Sequence, residues 1–192
     1  MKFVEQNLED LIYETYHKEG GAEKLRSRGL RIDGDLHRQV DLGSYGRVDL
    51  LEIKVNKNNN ITITIYELKK EKIGINALLQ AYRYRKGVEK HFGKLISLGI
   101  INPKALIDID IVLIGSEIET NGDFVFLYNE LNGVCIYTYE YTIDGLFFKE
   151  DSACYDITNA HLNKDTGQMF LNDIENQLKE YIDPQNNNPH DS

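Results

Sequence analysis

The 192-residue sequence lacks the features that mark several large protein classes. It has no apolar run near the roughly 20 residues that a membrane-spanning helix needs. Its N-terminus, MKFVEQNLED, is acidic and amphipathic, unlike a signal peptide. Its two cysteines, Cys135 and Cys154, have neither metal-ligand nor redox spacing, so a reducing cytoplasm is the expected location. Length and composition predict one soluble globular domain with its own core.

Several common chemistries also lack their residues. A zinc site needs closely spaced ligands, but the five histidines are scattered: His17, His37, His91, His161 and His190. The stretch GSYG at 43–46 is not followed by the helix and lysine of a phosphate-binding loop. Neither cysteine has an obvious histidine partner, which argues against a thiol nucleophile. The tyrosines of IYTYEYT alternate at strand period, so sheet packing explains them better than base stacking does.

The sequence is acidic overall, with a formal net charge of −9. That balance argues against a protein that binds nucleic acid over its whole surface. Residues 69–94, however, contain eight Lys or Arg against two Glu, a local charge of +6, which leaves −15 on the rest of the chain. Such a basic segment can hold phosphates locally, because charges are screened over about 10 Å. Charge alone favours the simpler alternative, a solvated helix face.

Hydrophobic periodicity predicts a mixed α/β domain spanning residues 1–182, with its core over about 5–145. The expected helices are 2–17, 76–94, 123–133 with Gly133 as the cap, and 168–182. The expected strands are 36–42, 48–55, 61–69, 107–115 and 134–143. The polar tail, residues 183–192, is expected to be disordered.

The hairpin in YGRVDLLEIKVNKNNNITITIYELKKEK, residues 45–72, combines an apolar face with charged residues at its end. Residues two apart on a strand share a face. Folding the two strands symmetrically about Asn58 gives three pairs: Ile53 with Ile63, Leu51 with Ile65, and Asp49 with Glu67. Cβ atoms of opposed residues lie about 5 Å apart. The register therefore predicts that two carboxylates meet at the end of the hairpin.

Two opposed carboxylates destabilise a sheet unless a cation compensates their charge. Mg²⁺ accepts one or two carboxylates and keeps several waters, which suits a site that also binds phosphate. Lys69, on the same face as Glu67, is placed to orient an attacking water and to offset charge on the phosphorus. The alternative is a surface hairpin that ends in an ordinary Lys–Glu salt bridge.

An Asp on one strand and Glu-x-Lys on the next resembles the PD-(D/E)xK nuclease superfamily. More narrowly, NLEDLI, GL…RQVDLGSYGRVDLL, IYELKK and LLQAYRY occur in the order found in the NucS-like endonuclease domain. The resemblance covers about residues 5–90. It implies a restriction-endonuclease-like core, with a central mixed β-sheet flanked by helices, and a Mg²⁺- or Mn²⁺-dependent endonuclease acting on DNA.

The resemblance also implies roles for particular residues. Asp49, Glu67 and the carbonyl of Leu68 would bind the metal, and Glu9 of the first helix would contact it directly or through a water; Glu5 competes for that last role. The implied catalytic residues are Glu9, Asp49, Glu67, Lys69 and Gln80. The resemblance places Arg38 and Tyr84 among the expected nucleic-acid contacts, and the clustering of basic residues beside the site adds Arg47, Lys70, Lys72, Arg83, Arg85 and Lys86. Two positions depart from the family pattern: Gln39 stands where Glu is frequent, and Val48 replaces the proline before Asp49.

Two other functions remain open at this point. One is a catalytically silent nuclease-fold module that binds nucleic acid or serves a phage-defence complex, and the other is a purely structural acidic protein. The intact Asp49, Glu67 and Lys69 favour the enzyme. The sequence leaves RNA open as a substrate, and although homodimers are common in the superfamily, no residue marks an interface.

Overall fold

A computed structural model describes residues 5–56, 60–120, 124, 127, 128 and 131–151. All of them belong to one compact unit, Met1–Ser152. The predicted last helix at 168–182 and the predicted disordered tail at 183–192 lie outside the described residues. None of the described helices has the length and apolar character needed to cross a membrane.

Strands outnumber helices in the described part of the chain. The described helices are α1 (Glu5–Tyr16), α2 (Gly21–Ser27) and α3 (Ile75–Ser97). The strands are β1 (Asp35–Asp41), β2 (Arg47–Val55), β3 (Ile61–Leu68), β4 (Lys72–Ile73), β5 (Ile107–Gly115), β6 (Glu117–Ile118), β7 (Val134–Thr142) and β8 (Gly145–Glu150). A short 3₁₀ turn, Gly43–Tyr45, joins β1 to β2.

Six of these strands form one mixed sheet in the order β1-β2-β3-β5-β7-β8. The pairs β3–β5 and β5–β7 are parallel, and the other three are antiparallel. The long helix α3 makes the crossover from β3 to β5, as a parallel pair requires. The two short strands β4 and β6 pair separately.

Helices cover both faces of the sheet. On one face, Leu8 and Ile12 of α1 pack with residues such as Leu50 and Leu68. On the other face, α3 packs through its small and apolar residues against β2, β3, β5 and β7. Each apolar side chain fully buried in this way contributes roughly 1.5–3 kcal/mol. The predicted α/β class, with a central mixed sheet flanked by helices, is confirmed.

The sequence predicted the long elements to within a few residues but missed α2, β8 and the two-residue strands β4 and β6. Helix α2 begins at Gly21, after Gly20 has adopted a left-handed φ of 67°. Strand β8 was also missed, although Leu146 and Phe148 are buried and alternate with the more exposed Phe147. The predicted helix 123–133 is helical at 124, 127 and 128, and its other residues up to 130 lie outside the described part.

Candidate active site

The candidate site begins with the register of the β2–β3 hairpin. Regular pairing runs from Val55 opposite Ile61 to Leu50 opposite Tyr66, which is the register that the sequence predicts. Beyond that last pair, the Asp49 side chain takes over: its Oδ2 accepts a hydrogen bond of 3.0 Å from the Leu68 amide. The Asp49 carboxylate is therefore fixed beside the Glu-Leu-Lys segment.

The alternation of β2 is interrupted around Asp49. Val48 and Leu51, three positions apart, both pack in the cluster under α3, whereas Leu50 packs in the cluster under α1. Across the β1–β2 ladder the residue facing Asp49 is Gln39, which has a φ of 51° and breaks the regular pairing there. The sequence pattern predicted uninterrupted alternation and gave no sign of this irregularity.

Glu67 is fully buried and bound to Lys69. The Lys69 Nζ donates to Glu67 Oε1 at 2.5 Å, while about a quarter of the lysine side chain is exposed. Within the described part of the chain, Glu67 Oε2 is buried and has no hydrogen-bond partner. A buried carboxylate oxygen without a partner is costly unless another ligand meets it.

Burial and mutual repulsion shift both strand carboxyls. Burial is the main cause that raises the pKa of Asp49 to about 6, partly opposed by the Leu68 amide bond. Burial and then the charge of Asp49 raise the pKa of Glu67 to about 7. The pKa of Lys69 is also raised: burial acts to lower it, but the bond to Glu67 and the neighbouring carboxylates outweigh burial. Two such carboxyls ionise together only if further positive charge is close.

Both candidate glutamates of α1 lie near this pair. Glu9 is 3% exposed, with Oε2 bound to the Gln39 amide at 2.5 Å and Oε1 3.1 Å from Arg38 Nε. That Arg38 ion pair lacks hydrogen-bond geometry, so Glu9 Oε1 is, among the described groups, a second buried oxygen without a hydrogen bond. Glu5 is half-exposed and its Oε1 lies 3.9 Å from Lys69 Nζ. The charges of Glu5 and Glu9 both act to raise the pKa of Asp49.

The arrangement fits a divalent cation held by few protein ligands. In the described residues, no three His, Cys, Asp or Glu side chains form a ready-made metal-binding group. Mg²⁺ does not need one, because it usually takes one or two carboxylates and keeps its waters. Glu67 Oε2 has no hydrogen-bond partner in the described ranges, and the pKa values of Asp49 and Glu67 are raised; a cation bound at these two residues would relieve both features. The carbonyl of Leu68 remains a predicted ligand.

An open pocket of about 530 Å³ adjoins Lys69. Its lining combines cationic and anionic side chains: Glu5, Lys69, Lys70, Glu71, Lys72, Ser116 and Glu117. Ser116 was not expected from the sequence, because only the parallel β3–β5 pairing brings the end of β5 to this place. The pocket gives the Lys69 ammonium access to a ligand.

The backbone that follows Glu67 is anchored by three strands. Asp49 of β2 binds the Leu68 amide, the Lys69 amide donates to Ile114 O of β5 at 2.7 Å, and Tyr139 of β7 donates its hydroxyl to Lys70 O at 2.6 Å. The sequence explained Tyr139 as sheet packing alone. Its contact spans 69 positions, so no local pattern announces it.

The predicted nucleic-acid residues differ in how free their charges are. Arg38 contacts Glu9 and also Asp10, and several other basic residues pair with a neighbouring glutamate: Lys70 with Glu71, Lys72 with Glu117, and both Arg85 and Lys86 with Glu89. For Arg47 and Arg83 no ion pair occurs within the described ranges. Tyr84 is buried, and the Gln80 amide donates a hydrogen bond to its hydroxyl at 2.5 Å. Two of the predicted site residues are therefore in direct contact.

Comparison with known proteins adds little to this picture. No protein-family model and no curated protein matches the sequence. Among solved structures, the chain is similar to one described as a repair endonuclease from Pyrococcus abyssi, with 18% sequence identity and a TM-score of 0.43. The match covers 73% of this chain and 48% of that one, so this chain spans about half the length of its structural neighbour. A likeness of this size carries no information about activity.

Proposed function

We propose that this chain is a metal-dependent endonuclease of the PD-(D/E)xK type that hydrolyses DNA phosphodiester bonds. The observation that carries the proposal is the end of the β2–β3 hairpin. There the predicted register brings Asp49 to the backbone of the Glu-Leu-Lys segment, where Glu67 binds Lys69 and keeps one buried oxygen without a hydrogen-bond partner among the described residues. A surface salt bridge, the simpler alternative, would not require Glu67 to be fully buried.

Each residue at the hairpin end has a role in this reaction. A Mg²⁺ or Mn²⁺ ion held by Asp49, Glu67 and the Leu68 carbonyl would neutralise phosphate charge and acidify a bound water. Lys69, aligned by Glu67 and open to the pocket, orients the water and offsets the charge that develops on the phosphate oxygens. Glu9 supplies a third negative charge beside Asp49.

The basic segment around α3 supplies the contacts to the nucleic-acid backbone. The exposed Arg83 and Arg47 have no ion pair among the described residues and so keep their charges for phosphates. The remainder of the acidic molecule repels the polyanion and favours approach along this one segment. DNA is the proposed substrate, with RNA as the competing polymer in the test.

The test is cleavage of labelled duplex, single-stranded and branched DNA, and of RNA, in Mg²⁺, Mn²⁺ or EDTA. We expect metal-dependent cleavage that falls at least about 100-fold in Asp49→Asn and in Lys69→Met, because each removes a group that stabilises the reacting charge. Lys18→Met is the matched control, since Lys18 is exposed and lies two residues beyond the C-terminal end of α1. Its rate should equal that of wild type.

The metal site is measured separately by calorimetric titration with Mn²⁺. Wild type should bind, and Asp49→Asn should not. Binding without cleavage of any substrate would favour the silent nucleic-acid-binding module. Absence of both binding and cleavage would overturn the proposed function.

A further inference from the structure

Gln39 has an unusual backbone for a residue within a strand. It is the one non-glycine residue in the described part of the chain with a positive φ, at 51°. Left-handed backbone is unfavourable for a residue with a Cβ atom, and glycine or asparagine takes it more readily. Strand β1 continues on both sides of Gln39, so neither a turn nor a strand end accounts for the strain.

The left-handed conformation changes where the side chain goes. Successive side chains of a regular strand point to opposite faces. Arg38 and Gln39 are consecutive, yet both reach the same carboxylate: Arg38 Nε lies 3.1 Å from Glu9 Oε1, and Gln39 Nε2 donates to Glu9 Oε2 at 2.5 Å. The left-handed backbone at Gln39 allows two adjacent residues to contact the two carboxylate oxygens of Glu9.

The chemistry of the two contacts suits a carboxylate that is held in one orientation. The amide of Gln39 donates a hydrogen bond to Glu9 Oε2 without adding charge. A glutamate at this position would instead place a second negative charge beside the buried Glu9. Arg38 supplies a balancing cation, and Asp10 contacts Arg38 from the other side at 3.0 Å.

We propose that Gln39 is a positioning residue: its strained backbone and its amide hold Glu9 in the orientation in which that carboxylate serves the cation at Asp49 and Glu67. The role of the metal in this proposal rests on the proposed function, whereas the contacts to Glu9 are those of the structure. Strain of this kind persists where the surrounding structure maintains it, and such places are concentrated at functional sites.

The contact between Gln39 and Glu9 is tested in metal-free protein by a double-mutant cycle. Gln39→Gly removes the amide and relieves the backbone strain together, whereas in a Glu9→Ala background only the relief of strain remains. We therefore expect Gln39→Gly to raise the melting temperature in EDTA by several degrees more in the Glu9→Ala background than in wild type. Equal shifts in the two backgrounds would overturn the proposal, whether or not the protein is a nuclease.

The positioning role is tested by calorimetry with Mn²⁺ well below the melting temperature, where a merely structural loss of stability has no effect. Gln39→Gly should weaken Mn²⁺ binding and slow cleavage by about 10-fold or more, as loss of an outer partner of a metal ligand does. Gln39→Asn, which tolerates the backbone and keeps a shorter amide, should recover part of both. Unchanged Mn²⁺ affinity and cleavage in Gln39→Gly would overturn the proposal. Failure of wild type to bind Mn²⁺ would instead overturn the proposed function. The double-mutant cycle in EDTA would still show whether Gln39 and Glu9 interact.

Discussion

Two buried glutamates illustrate how partners decide what a carboxylate does. Glu52 accepts three hydrogen bonds, from the amides of Asp33 and Gly34 and from the Tyr66 hydroxyl, at 2.6–2.7 Å. Its charge is satisfied within the fold and anchors the loop before β1. Glu67 is buried at least as deeply but keeps one oxygen without a hydrogen bond among the described residues. The first is a structural residue, and the second retains capacity for a ligand.

The stability of the metal-free protein should therefore depend on pH through Glu67. Its pKa in the folded state, about 7, lies above the ordinary 4.5, so the folded state binds this proton more tightly than the unfolded chain does. The stability that this proton contributes is complete below pH 4.5 and is lost as the pH rises towards 7. A difference of that size corresponds to about 3 kcal/mol, as an order of magnitude.

Urea unfolding of wild type and Glu67→Gln in EDTA, at pH 5 and pH 8, measures this dependence. The glutamine variant should be the more stable of the two at pH 8, and the difference should shrink at pH 5. Saturating Mg²⁺ should restore wild-type stability at pH 8, because a bound cation favours the ionised carboxylates. A difference between the two proteins that does not change with pH would contradict the assignment of the shift to Glu67.

At the scale of elements, glycines set how closely α3 approaches the turn before β2. A Cβ atom built on Gly87 would lie 2.9 Å from Tyr45 Cβ and 3.1 Å from Leu42 Cδ1, whereas one on Gly93 would meet nothing within 4 Å. Both glycines lie inside the same helix. Helix propensity favours alanine over glycine by about 1 kcal/mol at either position, so the difference between them isolates the close contact.

We expect Gly93→Ala to stabilise the protein by up to about 1 kcal/mol and Gly87→Ala to destabilise it by roughly 1–3 kcal/mol, because the added methyl group overpacks the contact. Urea unfolding followed by circular dichroism measures both variants. Stabilisation of similar size in the two variants would mean that Tyr45 and Leu42 move away from the added methyl group without loss of stability.

The alternation of apolar residues along the hairpin is a local sequence pattern, and it predicted the β2–β3 register. That register located Asp49 and Lys69. The kink at Gln39 was beyond such reasoning, since it depends on a contact with Glu9 thirty positions away. Helix α2 and strand β8 were missed for a different reason. Both are short, and the cores that they complete draw on residues from the whole unit.

At the scale of the molecule, the predicted positive charge of residues 69–94 is partly cancelled inside the fold. Arg85 and Lys86 share Glu89, which lies within hydrogen-bond reach of both. Arg83 is exposed and lies over the Tyr84 ring, 5.8 Å from its centroid, with no ion pair in the described part of the chain. Local charge counted along a sequence therefore overstates the charge available to a ligand.

This difference predicts unequal effects on binding to DNA. In EDTA, Arg83→Gln should weaken duplex binding and lower the slope of log K against log salt by about 1, the value expected for one lost phosphate contact. Lys86→Gln is the matched control on the same helix and should change the slope less. Fluorescence anisotropy over a range of KCl concentrations measures both. Equal slopes for the two variants would show that the pairing with Glu89 does not withhold Lys86 from the ligand.

The mixed sheet could be predicted as a class from the alternation of helices and strands, but its strand order could not. The position of β3 between β2 and β5 depends on pairing across the α3 crossover, which no local pattern specifies. Ser116 and Tyr139 reach the site only through that order. For the same reason, sequence reasoning found the charged residues of the site and missed those that anchor its backbone.

The three-strand anchoring of residues 68–70 has a consequence for how substrates would be told apart. A segment tied to β2, β5 and β7 is in place before any ligand arrives, so its two hydrogen-bonded amides, those of Leu68 and Lys69, should exchange with solvent as slowly as those of the sheet interior. Under the proposed function, such a preassembled centre cannot reject a wrong substrate by failing to close on it. Selectivity would then be exercised before the chemistry, by whichever surfaces admit a strand to the pocket, and the reaction itself would be indifferent to sequence.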